Sequence, residues 1–148
     1  GIASTRTVVL REAIKSERIL RIFSDLRAKK IEHIKNNPCV TAHFHDRKKR
    51  IQLRMLGTAY LGNQKLTTIN WINLSAQQKK MYRAMQGPGE LLENDEDYIC
   101  YLDDDVHKFS VINIHVKEID WLSLNNKQHL RIKFQCSNSE IKAERITP

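Results

Sequence analysis

Basic residues near the start of the chain could bind an anion in two segments. In Arg6–Arg11, a strand would direct its two arginines to opposite sides. In Ser24–Lys30, a hydroxyl group and two lysines coincide with the predicted start of a helix. A helix N-terminus offers unpaired backbone N–H groups and partial positive charge, so this second segment suits a phosphate monoester. Solvated basic side chains are the alternative interpretation of both segments.

Two further features are weaker on their own. Gln52 is an amide in the largely apolar stretch Ile51–Gly57, where it either faces solvent or hydrogen-bonds a specific partner. Trp121 and Arg131 would suit an aromatic anion if they converge across a turn. The alternative is a tryptophan in the core and an arginine on the surface. The cysteines and histidines show no metal-ligand spacing, so no metal site is predicted.

Composition and charge limit the class of protein. With 148 residues, of which 41% are apolar, the chain is expected to fold as one globular domain. No apolar run approaches the roughly 20 residues of a membrane span, and no signal peptide opens the sequence. Three widely spaced cysteines are typical of free thiols in the cytoplasm. The net charge of +8 attracts anions, but the basic run Arg47–Arg50 lacks interleaved aromatic residues, which favours a solvated turn over nucleic-acid binding.

The hydrophobic pattern predicts about seven strands and few helices. The strands are expected at Ser4–Leu10, Arg18–Ser24, Cys39–His45, Ile51–Gly62, Ser110–Ile119, His129–Cys136 and Glu140–Ile146. The polar stretch Glu12–Glu17 is expected to form the loop of the first hairpin. A helix over Asp25–Asn36 would be capped by Ser24 or Asp25, and a helical pattern covers Asn63–Met85, with Ser75 as the N-cap of its second helix. Short antiparallel connections favour a barrel or a sandwich.

Strand Ser110–Ile119 has the clearest alternation in the sequence. Ile112, Ile114 and Val116 fall on one face, and Asn113 falls on the opposite, polar face. This period of two predicts a half-buried strand with one face on the core.

The order and spacing of these segments resemble the pyridoxamine 5'-phosphate oxidase-like flavoproteins. The matching stretches are Arg6–Arg11, Ile22–Asp25, Ala28–Lys30, Asn36–Pro38, Gln52 with Gly57, Asp120 and Trp121 with His129 and Arg131, and Arg145–Pro148. Tyr82 and Gly87–Gly89 are similar to the oxidase-related subgroup of flavin mononucleotide (FMN)-binding proteins. The resemblance implies a mainly β fold with a few helices, namely a six-stranded antiparallel FMN-binding split β-barrel. It also implies a homodimer with FMN at the subunit interface, and a further strand before Gly1.

The resemblance assigns residues to the FMN site. Arg6, Ser24, Lys29 and Lys30 would hold the phosphate. The backbone of Val8–Leu10 would lie along the isoalloxazine ring. Gln52 would hydrogen-bond the flavin, and Trp121 and Arg131 would reach it from the partner subunit. The complete set of implied cofactor-binding residues is Arg6, Thr7, Val8, Val9, Leu10, Arg11, Phe23, Ser24, Lys29, Lys30, Gln52, Trp121 and Arg131.

The resemblance is weaker at the substrate. The implied contacts are Arg11, Tyr82, Lys127 and His129. Gln86 stands where an arginine would hold the substrate phosphate, and Lys127 also replaces an arginine. Because a lysine cannot give the bidentate grip of a guanidinium, phosphate binding by the substrate site is expected to be impaired.

Two changes also fall at the cofactor. Ala28 replaces a serine that would give the phosphate a hydroxyl, and Phe23 replaces a tyrosine. Most other cofactor positions are kept. The sequence therefore predicts an FMN-dependent oxidoreductase with a small-molecule substrate, without nucleic-acid or membrane partners. No catalytic side chain is required, because the flavin supplies the reactive chemistry. The alternative is a non-enzymatic flavin- or haem-binding module, or a basic nucleic-acid-binding module.

Overall fold

The computed structural model describes residues 3–92, 101–103, 106–125, 129–137 and 140–148. The strands within this part of the chain are β1 (Leu10–Ile14), β2 (Ile19–Asp25), β3 (Cys39–Asp46), β4 (Ile51–Leu61), β5 (Phe109–Ser123), β6 (Leu130–Cys136) and β7 (Ile141–Ile146). The helices are α1 (Lys29–Asn36), α2 (Gln64–Ile72) and α3 (Ala76–Met81). The mainly β antiparallel class predicted from the sequence is confirmed.

The seven strands form one sheet in the order β1-β2-β5-β4-β3, with β6 pairing to β5 and β7 pairing to β6. The resemblance implied six strands. Among the described residues the path does not close, because β1 and β3 end it and pair with one neighbour each.

The chain forms two compact units. The first unit comprises Gly1–Glu12, Arg21–Asn37 and Tyr60–Asn113, and the second comprises Ala13–Leu20, Pro38–Ala59 and Ile114–Pro148. The prediction of a single domain stays a prediction.

The core of the first unit is built around the start of β5. Val111 is completely buried and Phe109 almost completely, and they form a cluster with Leu74 and Tyr82. Burial continues without a break from Phe109 to Ile114, so this half of β5 is covered on both faces. The predicted alternation is wrong here.

Asn113 is the clearest case of this departure. It is only 4% exposed, and its Oδ1 accepts a hydrogen bond of 2.9 Å from Arg21 Nε. A buried amide is tolerated when its hydrogen-bonding groups are paired. The apolar face was predicted correctly, since Ile112, Ile114 and Val116 are all buried.

The second unit contains two antiparallel ladders. Strand β3 pairs with β4 from Cys39 opposite Thr58 to Asp46 opposite Ile51, and β6 pairs with both β5 and β7. Gly57 allows the close approach of β4 to β5, because a Cβ atom there would lie 2.4 Å from the carbonyl oxygen of His115.

The first predicted strand, Ser4–Leu10, is wrong. Residues 3–9 have no regular structure, and β1 instead begins at Leu10 and runs through part of the predicted loop. The turn lies at residues 15–18, where Arg18 has a φ of 55° and its N–H donates to the carbonyl oxygen of Lys15 at 3.2 Å. The β-branched residues of Thr5–Val9 favour a strand, but a strand also needs a partner with which to pair.

The start of the first helix also differs from the prediction. Helix α1 begins at Lys29, and its N-cap is Ala28, which has no side-chain hydrogen bond to the helix. The N–H of Leu26 donates to the carbonyl oxygen of Lys108 at 2.7 Å, and the carboxylate of Asp25 is held by Arg27. The chain therefore leaves β2 through a turn before the helix can begin.

The second helical region was predicted more accurately. Ser75 caps α3, and its side chain and that of Gln78 form a reciprocal capping box. The helix ends at Met81, four residues before the predicted end at Met85. None of the helices in the described part of the chain is both long and apolar enough to cross a membrane.

Candidate functional site

The start of α1 brings together several of the predicted phosphate-binding residues. Lys30 Nζ donates a hydrogen bond of 3.1 Å to the hydroxyl of Ser24, which is 3% exposed. The carbonyl oxygen of Ser24 accepts from the hydroxyl of Ser110 at 2.9 Å. These bonds fix the end of β2 beside the first turn of the helix, where Lys29 is also present and exposed.

Two positive side chains, Lys30 and Arg6, are close enough at this point for their charges to repel each other. Burial lowers the pKa of Lys30, as does the neighbouring positive charge of Arg6, while Asp25 acts in the opposite direction. The carboxylate of Asp25 accepts from Arg27 Nε and Nη2 at 3.0 and 2.8 Å, so it is already paired. Among the described residues, neither Lys30 nor Arg6 forms an ion pair. A bound anion would relieve this repulsion.

Arg6 is attached to the same helix. Its Nη2 donates to the hydroxyl of Ser4 at 2.8 Å and lies 3.2 Å from Nδ1 of His33. The structure thus places Arg6, Ser24 and Lys30 in one region, as predicted. The sequence reasoning missed His33, although its position three residues after Lys30 puts both residues on one face of a helix.

A second cluster in the first unit joins Arg11, Phe23 and Tyr82. The guanidinium carbon of Arg11 lies 5.4 Å from the centre of the Phe23 ring, and Arg11 is close enough to Tyr82 to act on its hydroxyl group. Burial raises the pKa of Tyr82, and the nearby Arg11 partly opposes that shift. The edges of the Phe23 and Tyr82 rings meet Phe109, each with 5.0 Å between ring centres. Two of the predicted substrate residues, Arg11 and Tyr82, therefore lie near each other.

The predicted convergence of Trp121 and Arg131 across a turn is not found. Trp121 pairs with Ile132 and Arg131 pairs with Leu122, so the two side chains lie on opposite faces of the β5–β6 ladder. Trp121 lines an open apolar cavity of about 370 Å³, together with Leu53, Ile119, Ile132, Phe134, Cys136 and Ile141. The register of the ladder decides this arrangement, because the residue opposite Arg131 is Leu122, the immediate neighbour of Trp121. A role of either residue at a flavin stays a prediction.

Arg131 forms part of an ion-pair network on the other face of the ladder. Its Nε and Nη2 donate to Oδ1 and Oδ2 of Asp120 at 2.9 and 2.7 Å. Arg54 Nη2 donates to the same carboxylate at 2.5 Å. The hydrogen bond from Arg131, supported by Arg54, lowers the pKa of Asp120 to about 2. Gln52 is two residues from Arg54 on β4 and therefore shares its face.

The remaining predicted residues are less informative. Thr7, Val8 and Val9 are exposed and have no regular structure, and Leu10 is exposed at the start of β1. His129 is exposed just before β6, and Lys127 lies outside the described residues. Within the described ranges, no group of three or more histidine, cysteine or acidic residues could hold a metal ion.

Solved structures of other proteins share the fold of this chain. A pyridoxamine 5'-phosphate oxidase-related, FMN-binding protein from Nostoc punctiforme PCC 73102 has a TM-score of 0.83 and 22% identity, covering 97% of this chain and 80% of its own. PhzG from Burkholderia lata 383, solved with tetrahydrophenazine-1-carboxylic acid, has a TM-score of 0.83 and 13% identity, covering 98% and 75%. The fold is that of the oxidase-related split barrels.

A third structure has a lower similarity. It is a protein from Clostridium acetobutylicum of the pyridoxinephosphate oxidase family, related to a general stress protein, with a TM-score of 0.52 and 12% identity, covering 82% of this chain and 69% of its own. The search of curated proteins found no match.

Part of the sequence also matches a known protein family. Residues 2–63 match the family described as pyridoxamine 5'-phosphate oxidase, FMN-binding domain. This stretch contains Arg6, Ser24, Lys30 and Gln52. The resemblance predicted from the sequence is confirmed: the chain has the oxidase-related fold, and its first part matches the FMN-binding domain of that family.

Replacing Asp120 by asparagine should change how stability depends on pH. The pKa of Asp120 in the folded protein is about 2, below the ordinary value of 3.8, so its carboxylate stabilises the fold above about pH 4 and this contribution is lost between about pH 4 and pH 2. We expect Asp120→Asn to lose about 1–2 kcal/mol at neutral pH, because the two arginines are partly exposed and solvent screens them.

Urea unfolding followed by tryptophan fluorescence, at neutral pH and at about pH 3, measures this effect. Wild type should lose stability on acidification by more than Asp120→Asn does. Glu17→Gln, an exposed carboxyl in the turn before β2, is the matched control and should behave like wild type. Parallel acid profiles for wild type and Asp120→Asn would contradict the role of the network.

Proposed function

We propose that this protein binds FMN, with the phosphate held at the start of α1. The observation that carries the proposal is the closeness of two positive side chains, Arg6 and Lys30, neither of which forms an ion pair with a described residue. A phosphate dianion would supply the missing negative charge. Lys29 and the N–H groups at the start of the helix would add further donors. The Ser24 hydroxyl accepts from Lys30 and donates to the carbonyl oxygen of Asp25, so it would hold Lys30 in position at the phosphate.

The residues present fit a phosphate monoester. Lys30 is partly buried, so an anion beside it is screened less by water than it would be on an open surface. Arg6 can donate to phosphate oxygens through Nε and Nη1, which bind no described residue. Ala28, which is 5% exposed, offers no hydroxyl at the helix N-cap, so one contact is lost while the charged contacts are kept.

The flavin ring would lie beyond the phosphate, along the exposed backbone of Thr7–Leu10. Arg11 and Phe23, which contact each other in the first unit, would border the flavin ring. Gln52 would hydrogen-bond the ring, and Trp121 and Arg131 would reach it from a partner subunit.

The protein would act as an FMN-dependent oxidoreductase on a small molecule. When bound, FMN supplies the hydride chemistry, and the chain binds and orients the reactants. Arg11 would attract an anionic group of the substrate. The raised pKa of Tyr82 keeps its hydroxyl proton in place, so this hydroxyl can donate to the substrate. His129 and Lys127 would complete the substrate contacts.

The substrate is expected to carry a single negative charge at this position. The charged groups acting on Tyr82 are Arg11 and the already paired Asp25, and Gln86 brings no further positive charge. A phosphate dianion would therefore be poorly compensated, whereas a carboxylate would match one guanidinium. That PhzG was solved with a tricyclic carboxylic acid supports an aromatic carboxylate as substrate.

Removing the phosphate-binding charges should weaken FMN far more than riboflavin, which lacks the phosphate. We expect Arg6→Ala and Lys30→Ala each to cost about 1.5–3 kcal/mol in FMN affinity, because each removes a charge-assisted hydrogen bond. Quenching of flavin fluorescence during titration measures both affinities. Lys35→Ala, on the exposed side of the same helix, is the control and should bind FMN like wild type. Purified protein that neither turns yellow nor quenches added FMN would refute the proposal.

A homodimer is proposed because exposed apolar side chains surround the region assigned to the flavin. Val8 and Val9 are 42% and 59% exposed, and Leu10 is 39% exposed. Contiguous apolar surface of this kind is a common mark of a protein interface.

Subunit mixing would test the shared site directly. A chain with Arg6→Ala and Lys30→Ala lacks the phosphate grip, and a chain with Trp121→Ala lacks the proposed contribution to the partner's site. Each should bind FMN poorly alone. After unfolding and refolding together in equal amounts, about a quarter of all sites should combine intact halves from two chains and regain FMN binding. A monomer in sedimentation, or no recovery on mixing, would contradict the dimeric site.

The oxidoreductase proposal predicts a visible reaction of the loaded protein. NADPH or NADH added without oxygen should bleach the bound-flavin absorbance, and air should restore it. Arg11→Gln should raise the KM for an anionic substrate about tenfold while largely preserving kcat, because the charge acts mainly in binding. Lys15→Gln, in the exposed turn after β1, is the control. Unchanged absorbance with both donors would favour a non-enzymatic flavin carrier instead.

A further inference from the structure

We propose that His33 is a positioning residue of the phosphate site, which orients Arg6 toward the bound anion; this inference rests on the proposed binding of FMN. His33 Nδ1 lies 3.2 Å from Arg6 Nη2, although 27 positions separate the two residues in the sequence. His33 is three residues after Lys30 on α1, so the helix presents the two side chains on one face. The pair thus connects residues 3–9, which have no regular structure, to the helix that carries Lys30.

The chemistry of the two groups fixes the direction of this hydrogen bond. A guanidinium has five N–H donors and no acceptor, so Nδ1 of His33 must accept. The imidazole is therefore unprotonated at Nδ1, and in the neutral ring its proton is on Nε2. His33 contributes an acceptor beside two cations without contributing a negative charge. It can hold Arg6 in place without competing with a phosphate for the positive charge.

The nitrogen through which Arg6 contacts the protein decides which of its N–H groups remain for a ligand. Nη2 carries two hydrogens, and it contacts both Ser4 Oγ at 2.8 Å and His33 Nδ1. Nε and Nη1 form no hydrogen bond to any described residue. Nη1 carries two hydrogens and Nε carries one, so these nitrogens can still donate to an anion, although each parallel N–H pair of the guanidinium includes Nη2. Ser4 and His33 therefore hold Nη2 and leave the N–H groups of Nη1 and Nε available to phosphate oxygens.

Orienting Arg6 before the ligand arrives matters because the side chain is exposed and the surrounding chain is irregular. A flexible arginine loses rotamer freedom when it binds an anion, which weakens binding. A contact that is already formed in the unliganded protein reduces that loss. Removing the acceptor of His33 should therefore weaken FMN through Arg6, with no direct contact between His33 and the flavin ring.

Flavin titrations on three variants test the inference. His33→Leu keeps the size of the side chain but removes the acceptor, and should weaken FMN about three- to tenfold while changing riboflavin affinity less than about twofold. His33→Asn places an amide oxygen near the position of Nδ1 and should retain most of the affinity. His43→Leu, an equally exposed histidine on β3, is the matched control. Thermal unfolding of each variant checks that it is folded.

A double-mutant cycle separates a positioning role from a general structural one. If His33 acts through Arg6, then His33→Leu should have no further effect on FMN affinity in an Arg6→Ala background. Equal weakening of FMN and riboflavin by His33→Leu, or additive effects in the cycle, would overturn the inference. So would unchanged FMN affinity in His33→Leu while Arg6→Ala weakens it, and that result would leave the proposed function intact. If wild type binds neither flavin, the proposed function itself fails.

Discussion

Two groups of residues in the first unit depend on the packing of Phe109 at the start of β5: the basic residues at the start of α1, and the cluster of Arg11, Phe23 and Tyr82. Phe109 is 1% exposed, and the rings of Phe23 and Tyr82 meet it edge-on from two different parts of the chain. Phe23 directly precedes Ser24, the hydroxyl that Lys30 contacts, and its ring also faces Arg11. Because close-packed side chains transmit small displacements, a change in this core would move both groups of basic residues.

The structure separates basic residues that are paired from those that are not. Arg27 binds Asp25 and the carbonyl oxygens of Ala84 and Met85, and Arg131 binds Asp120. These arginines hold the fold together, and their charge is already compensated. Arg6 and Lys30 are different, since burial and mutual repulsion lower the pKa of Lys30. A net charge of +8 cannot distinguish these cases, although the difference decides where an anion can bind.

Much of the architecture could be predicted from local sequence patterns. The alternation of β5 on its apolar face, the strand pair formed by β6 and β7, and the cap at Ser75 all depend on residues close together in the chain. Predictions failed where a distant contact overrides local preference. Thr5–Val9 reads as a strand by composition but has no partner strand, and Asn113 is buried only because Arg21 supplies a hydrogen bond.

The sequence by itself determined the residue types of the site and their order: a basic strand-like segment, a hydroxyl, and two lysines at the start of a helix. Those features come from neighbouring positions, and they were enough to indicate the family and the phosphate-binding end. Tertiary structure decided which charges remain unpaired, because pairing depends on distance in space. It joined Arg6 to His33 across 27 positions and put Trp121 and Arg131 on opposite faces of one ladder. Neither arrangement follows from sequence spacing alone. The first depends on where the turn before Arg18 falls and on where the helix begins, and the second depends on the register of two paired strands.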